Sequence, residues 1–389
     1  MIIVFWGSLL LLFHAHFLYP MLAVLARRNR TCTEPDFSPS ISMLVPAHNE
    51  CDVIAEKIDN FEALDYPADK LELVIFDDGS DDETYDVARN RATNRIRVIR
   101  GDVRAGKATA VNQLVRLATH PVLLLTDANV TLEADAVAKL VMHLTDASVG
   151  AVTGEVRLVG SDEEFRSGES LYYRMERQIQ RAESNVSSVM GVDGAMYVLR
   201  RELYKPLPTD TILDDFLISM NVLRSRRRIV YEQAATAIET GTLSARQEFN
   251  RRVRIAAGAV QLLRRGIVPH WGQWAVWFQF VSHKLLRWCS PILIATLIIS
   301  SIALTSAATI YIAFALFLTL LASGVLLTLL FPRLRRSSSV ASVLFYFGMS
   351  QIAMSVGIVR GLLNRQPPQW EKVKRTEEGI ESNSTATGK

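Results

Sequence analysis

LELVIFDDGSDDET, residues 71–84, decides the fold. Leu71 to Phe76 is a short apolar run of strand character. Asp77, Asp78 and Gly79 then turn the chain into a helical pattern, so the carboxylates fall at the carboxyl edge of a sheet. Working outward, ISMLVP (41–46), IRVIR (96–100) and PVLLL (121–125) are runs of the same kind. Helical patterns at about 50–64, 82–94 and 107–118 lie between them. Alternation of this kind predicts βαβ units and a largely parallel sheet. Three further acidic sites accompany Asp77-Asp78: Glu50 in PAHNE, Asp127 in TDAN and Asp214-Asp215 in LDDF. PAHNE and TDAN each follow a strand-like run. Carboxylates at the carboxyl ends of parallel strands converge on one crevice. Acids gathered beside a diphosphate need a divalent cation, which points to an enzyme using an activated, phosphate-bearing donor.

The pattern continues with a helix at about 133–144 and a strand at about 149–158. A charged amphipathic helix follows at about 165–187. GVDGAMYVL (191–199) reads as a glycine-punctuated strand, and LDDF opens a helix near 213–224. Strand-like stretches at 228–232 and 235–239 precede a helix from about 244 to 265. Residues 40–265 are thus expected to form one α/β domain.

The flanks are apolar. Ile2 to Ala26 is followed, not preceded, by the basic run Arg27-Arg28-Asn29-Arg30, which predicts a retained anchor (residues 1–26) rather than a cleaved leader. A span of about 20–25 residues suits a bilayer, and the positive-inside tendency puts residue 27 onward in the cytoplasm. His14 and His16 inside it are read as buried against other helices. Residues 271–288 combine tryptophans with His283, Lys284 and Arg287, the pattern of an interfacial helix. Three spans are expected within 290–360, at about 290–307, 309–331 and 339–359, with a polar tail at 361–389. The basic Arg360, Arg365, Lys372, Lys374 and Arg375 would prefer the cytoplasm, whereas four spans carry them outside.

The net charge of +3 is too small to argue for nucleic acid. Cys32, Cys51 and Cys289 have neither metal-ligand spacing nor a disulfide pattern, which suits a reducing compartment. No internal repeat is visible, which removes support for a transporter built of inverted halves.

PAHNE, DDGSDDET, GKATAVN, TDAN, GVDGA, LDDF and RRVRI follow one another as in family 2 inverting glycosyltransferases, which the chain resembles over about residues 40–290. The nearest branch is the membrane-embedded one of cellulose, hyaluronan and poly-N-acetylglucosamine synthases. The resemblance implies a GT-A fold, that is, a Rossmann-like mixed, mostly parallel sheet with flanking helices, joined to transmembrane helices. It implies a nucleotide-sugar donor, most simply a UDP-sugar, with Mg²⁺ or Mn²⁺ as cofactor. The acceptor is a polysaccharide or a lipid. Contact with membrane lipids follows from the spans, and the branch leaves room for protein partners in an export complex. The place would be a bacterial inner membrane with the catalytic domain in the cytoplasm.

The resemblance assigns roles by residue. Pro46 and Glu50 in PAHNE, with Asp78 and Gly79, would bind the donor nucleotide. Gly79 is where the chain must turn tightly. Lys107, after Gly106 at a helix start, would approach the donor phosphates. TDAN replaces the usual Asp-x-Asp, so Asp127 would bind the metal while uncharged Asn129 offers at most a carbonyl oxygen. LDDF stands where the family has Thr-Glu-Asp, which gives Asp215 the general-base position and Asp214 the preceding acid. Asp193 and Gly194 would lie beside the acceptor. In RRVRI, Arg254 matches the family arginine that receives the departing diphosphate. Arg251 replaces a glutamine on the acceptor side, and Ile255 replaces the tryptophan of processive synthases.

Each residue also has a plainer reading. Asp77, Asp127 and Asp214-Asp215 sit where acids cap helices, Lys107 where a solvated lysine would, and the arginines where an interfacial helix meets lipid headgroups. Single transfer onto a lipid acceptor and a non-catalytic scaffold are the competing functions.

Overall fold

The computed structural model describes residues 1–26, 34, 36–159, 166–240 and 244–369. The basic run 27–30, Cys32, and Lys372, Lys374 and Arg375 of the tail lie outside the described residues. Contacts divide the chain into two units.

One unit, residues 31–162, 191–247 and 367–389, holds the sheet. Its eight strands are β1 (Ile41–Ala47), β2 (Leu71–Asp77), β3 (Ile96–Arg100), β4 (Val122–Thr126), β5 (Val130–Leu132), β6 (Val149–Val159), β7 (Met196–Arg200) and β8 (Arg228–Thr240). They lie in the order β3-β2-β1-β4-β7-β6-β8-β5. β1 pairs in parallel with β2 and β4, and β2 with β3. Every residue of β1, β2 and β4 is buried, as expected for parallel strands covered on both faces. The core joins Ile41, Met43, Val45, Leu73, Ile75, Leu124 and Val198 to the helix residues Ile54, Ile58 and Phe61.

The order β3-β2-β1-β4 has a switch point between β1 and β4, where such sheets open a crevice beyond the strand ends. PAHNE, DDGS and TDAN all leave strands at that edge. β7 enters antiparallel beside β4, with Thr126 opposite Met196, so GVDGA arrives at the same edge. The expected strand 191–199 is strand only from Met196 to Arg200, with a turn before it. The two expected stretches at 228–232 and 235–239 are one strand, β8, whose pairing with β6 shifts register between Glu232 and Thr236.

The other unit gathers residues 1–30, 163–190 and 248–366, and among its described residues the regular elements are all helices. Among the described residues, three helices are long and apolar enough to cross a membrane: Ile2–Leu25, Thr309–Leu330 and Ser339–Leu362. Trp274–Trp288 and Ser290–Ala303 form a fourth apolar element bent by 64°, a broken span or a re-entrant loop. The expected span 290–307 is therefore a helix of 14 residues that is too short to cross alone. The helix 274–288 does not hold its charges out to water. His283 meets Glu183 at 2.8 Å and Glu176 at 2.9 Å, Lys284 meets Glu176 at 3.1 Å, and Arg287 meets Glu176 at 2.8 Å. Both glutamates belong to the amphipathic helix Arg166–Val186. His14 and His16, in a π-helical turn of the first span, hydrogen-bond Ser282 at 2.8 Å and Ser290 at 3.0 Å. Polar pairing of this kind is what a low-dielectric helix bundle requires of its buried groups. The helix Ala245–Arg264 packs on Ser339–Leu362 through glycines. A methyl on Gly361 would lie 2.9 Å from the Ala257 carbonyl, and one on Gly357 would strike the Val253 carbonyl.

Candidate active site

The turn after β2 is built around two aspartates with different tasks. Asp77 Oδ1 accepts the Ser80 backbone amide at 3.3 Å and also the Ser80 hydroxyl. Its Oδ2 lies 3.5 Å from Arg100 Nε, without hydrogen-bond geometry, and burial pushes its pKa up. Asp78, fully buried, takes the Ala105 amide at 2.9 Å on one oxygen and the Gly106 amide at 2.8 Å on the other. It thus fastens the loop that delivers Lys107. Gly79 has φ +65°, and a Cβ there would meet Arg104 N at 2.7 Å, so no other residue fits.

The turn after β1 is stitched to this one. His48 Nδ1 bonds the Asp78 carbonyl at 3.0 Å, the Asn49 amide donates to Ser80 Oγ at 2.9 Å, and the Glu50 amide donates to Thr84 Oγ1 at 2.7 Å. Asn49, at φ +56°, accepts the Asp81 amide at 2.9 Å. Pro46 is buried within β1 beside Phe76.

Gly106, at φ +93°, starts the helix Lys107–Leu117. Lys107 Nζ reaches Asp127 Oδ1 at 2.7 Å. Burial pulls the pKa of this ammonium down, but Asp127, Asp214 and Asp215 outweigh it and push the value above the ordinary lysine range. Asp214 and Asp215 open the helix Asp214–Arg224, which brings them to the same edge. Burial first, and Asp214 second, push Asp215 up to about 7, against Lys107 and the Phe216 amide at 2.7 Å. Gly194 lets the GVDGA turn lie against this carboxylate; a Cβ there would sit 3.3 Å from Asp215 Oδ2. Asp193 is exposed, accepts the Ala195 amide at 3.1 Å, and adds its charge to that felt by Asp215.

Glu239, absent from the sequence expectations, completes the group. It closes β8 opposite Val130 of β5, and Asn129 Nδ2 lies 3.4 Å from its Oε1. Burial, Asp193 and Asp127 push it up to about 7. Its signal was present as the acid ending the run 235–239. A second missed residue is Lys57, whose hidden ammonium bonds Thr126 Oγ1 at 3.0 Å and the Val130 carbonyl. Burial lowers its pKa to about 7, although Asp127 acts the other way. Tyr197 on β7 is the third; burial, then Asp214 and Asp215, push its phenol far above the usual range.

Asp127, Asp214, Asp215 and Glu239 act on the Lys107 ammonium, and Asp193 adds its charge to Asp215 and Glu239. Two of the five, Asp215 and Glu239, are pushed up to about 7 by burial first and by their acidic neighbours second, so the site has an excess of acid that suits an added cation. Among the described residues no three His, Cys, Asp or Glu side chains stand close enough to enclose a metal alone. An ion here would draw further oxygens from a ligand, as magnesium does from substrate phosphates.

Arg251 and Arg254 belong to the helical unit. Arg251 Nε pairs with buried Glu248 at 2.7 Å, and its guanidinium lies over the Tyr173 ring. Arg252 pairs with the same carboxylate at 2.8 Å, and Tyr346 donates to it at 2.9 Å.

The family model for glycosyl transferase family 2 matches residues 42–207. The chain is 24% identical over 235 residues to the poly-beta-1,6-N-acetyl-D-glucosamine synthase of Staphylococcus epidermidis, covering 59% of this chain and 57% of that protein. It is 26% identical over 231 residues to the same synthase of Staphylococcus aureus, covering 58% and 56%. The match spans little more than half the length of these curated relatives. A mannosyltransferase from Pyrobaculum calidifontis, solved in complex with GDP-Man and Mn²⁺, superposes with a TM-score of 0.72 at 24% identity, over 93% of this chain and 100% of that one. The fold of that protein is thus shared over most of this chain, and the sheet unit is of the GT-A type.

Proposed function

Taking residues 42–207 as a family 2 glycosyltransferase domain, we propose that this is a membrane-bound inverting glycosyltransferase. It moves a sugar from a nucleoside diphosphate, a UDP-sugar, to a saccharide or lipid hydroxyl at the cytoplasmic face. The observation that carries the reading is the meeting of Asp127, Asp214 and Asp215 around Lys107. Support for a growing polysaccharide as acceptor comes from the relatives named as poly-N-acetylglucosamine synthases. Support for single transfer to a lipid comes from Ile255, which stands where processive synthases carry tryptophan.

In this reading the acceptor hydroxyl attacks the anomeric carbon while the bond to the diphosphate breaks. Asp215 takes the hydroxyl proton, and the nucleoside diphosphate leaves with the bonding electrons. A carboxylate at about 7 matches a base that works near neutral pH. Burial, and after it Asp214, keep that value high, and Gly194 leaves the acceptor room to approach. Asp127, with the Asn129 carbonyl, would hold Mg²⁺ or Mn²⁺, which when bound neutralises the donor phosphates. The neighbour solved with Mn²⁺ supports the choice of cation. Lys107 supplies a fixed positive charge toward the phosphates, aimed by the Asp78 hold on residues 105 and 106. Pro46, Glu50 and Gly79 shape the nucleotide side and Asp193 the acceptor side, while Arg251 and Arg254 match the family's acceptor and leaving-group positions by sequence alone.

A donor screen on the detergent-purified chain, reading nucleotide release with Mg²⁺ and Mn²⁺, tests this. UDP should appear only with a divalent ion, and Asp127→Ala should abolish it. Release that persists in chelator would overturn the assignment of Asp127. Sizing the product from labelled donor separates the two acceptors, a polymer ladder excluding single transfer to lipid.

A further inference from the structure

The helix Ile54–Glu62 contributes two side chains to the segment that carries Asp127. Lys57 is 2% exposed, and its ammonium donates to Thr126 Oγ1 at 3.0 Å and to the Val130 carbonyl. These two residues flank Asp127, Ala128 and Asn129. One turn along the helix, Asn60 Nδ2 donates to the Leu132 carbonyl at 2.8 Å, and Asn60 Oδ1 accepts the Leu132 amide at 2.9 Å. Residues three apart share a helix face. One face of one helix therefore grips residues 126, 130 and 132 of a segment that ends β4, turns, and starts the three-residue strand β5.

An ammonium in a protein core costs free energy unless it is paired or hydrogen-bonded. Among the described residues no carboxylate lies within ion-pair distance of Lys57, which spends its hydrogen bonds on a neutral hydroxyl and a carbonyl. The position sits between core residues Ile54, Ile58 and Phe61, where an apolar side chain would pack at no such cost. Stability alone does not account for a lysine here, whereas holding both ends of the Asp127 turn does.

We propose that Lys57, together with Asn60, is a positioning residue that fixes the Thr126–Leu132 segment, so that Asp127 is held in the geometry its cation and donor require. This rests on the reading of Asp127 as the cation ligand. Partners that orient a metal ligand typically change metal affinity by about 10–100-fold when lost.

The test is Mn²⁺ binding to the full-length protein in detergent with UDP present, followed by electron paramagnetic resonance, for wild type, Lys57→Met, Thr126→Val and Asp127→Ala. Lys57→Met should weaken Mn²⁺ binding by about 10–100-fold while its melting temperature stays level or rises. Thr126→Val, which removes one acceptor and keeps the shape, should weaken binding less and in the same direction. A merely structural lysine would give the opposite pattern: a lower melting temperature with unchanged Mn²⁺ affinity in the folded protein. Wild-type affinity in Lys57→Met and Thr126→Val, with binding lost in Asp127→Ala, overturns the positioning role and leaves Asp127 standing. Wild-type affinity in Asp127→Ala overturns the ligand reading, and the positioning role with it. If Lys57→Met does not fold, Thr126→Val decides alone by the same criterion.

Discussion

Lys107 Nζ lies 2.7 Å from Asp127 Oδ1, with the side chains 21% and 32% exposed. The pair joins the start of one helix to the end of β4, and it brings a positive charge directly onto Asp127. Replacing Lys107 by Gln keeps a polar side chain, one atom shorter, and removes that charge. The expected result is a fall of about 10²–10³ in turnover, the usual loss when one fixed charge-stabilising donor is removed. Steady-state nucleotide release at saturating donor checks it, and a wild-type rate would remove Lys107 from the chemistry.

Acidity sets a second expectation. Asp215 is pushed up to about 7 by burial and by Asp214, so it is a carboxylate only above that pH. The rate at low substrate should fall about tenfold for each pH unit below about 7. Glu239 is pushed to the same value but has no part in the proton transfer. Glu239→Gln should therefore keep the acid limb of the profile, and a pH–rate series on both proteins measures it.

The same shift affects stability. Folded Asp215 keeps its proton up to about 7, whereas in the unfolded chain it has lost it above the ordinary aspartate value of 3.8. The folded state binds the extra proton in that window, so stability falls as pH rises through it and is lowest above about 7. Asp215→Asn should melt several degrees higher than wild type at pH 8 and show little difference near pH 4. Thermal unfolding in detergent at the two pH values shows whether the site is held at the expense of stability.

Gly79 offers a backbone test. Its φ of +65° and the 2.7 Å approach of Arg104 N leave no room for a methyl group. Gly79→Ala should cost about 1–3 kcal/mol, the usual price of forcing such a conformation. It should also loosen the 105–106 amides from Asp78, so donor affinity drops with the melting temperature.

Much of this was legible before any coordinates. β1, β2 and β4 are mostly apolar runs, broken only by Ser42 and Glu72 near their starts, that stop at turn residues, and the acids after them can only fall at one sheet edge. Other parts carry no local signal. β5 has three residues, too few for a period, and exists because β8 pairs with it. Lys57 looks like any polar position of an amphipathic helix until the β4–β5 turn is placed over it. The double amide grip on Asp78 depends on a loop whose path no spacing encodes. Ser290–Ala303 has the composition of a span, but a 64° bend after Trp288 divides it from the helix before.

The central claim is that Asp215 is the base for an acceptor held against a cation-bound nucleotide sugar. The direct measurement is Asp215→Asn assayed for donor binding and for sugar transfer in the same preparation. Donor affinity should stay within a few-fold of wild type while transfer falls by about 10²–10⁴. Transfer at the wild-type rate by Asp215→Asn would contradict the account.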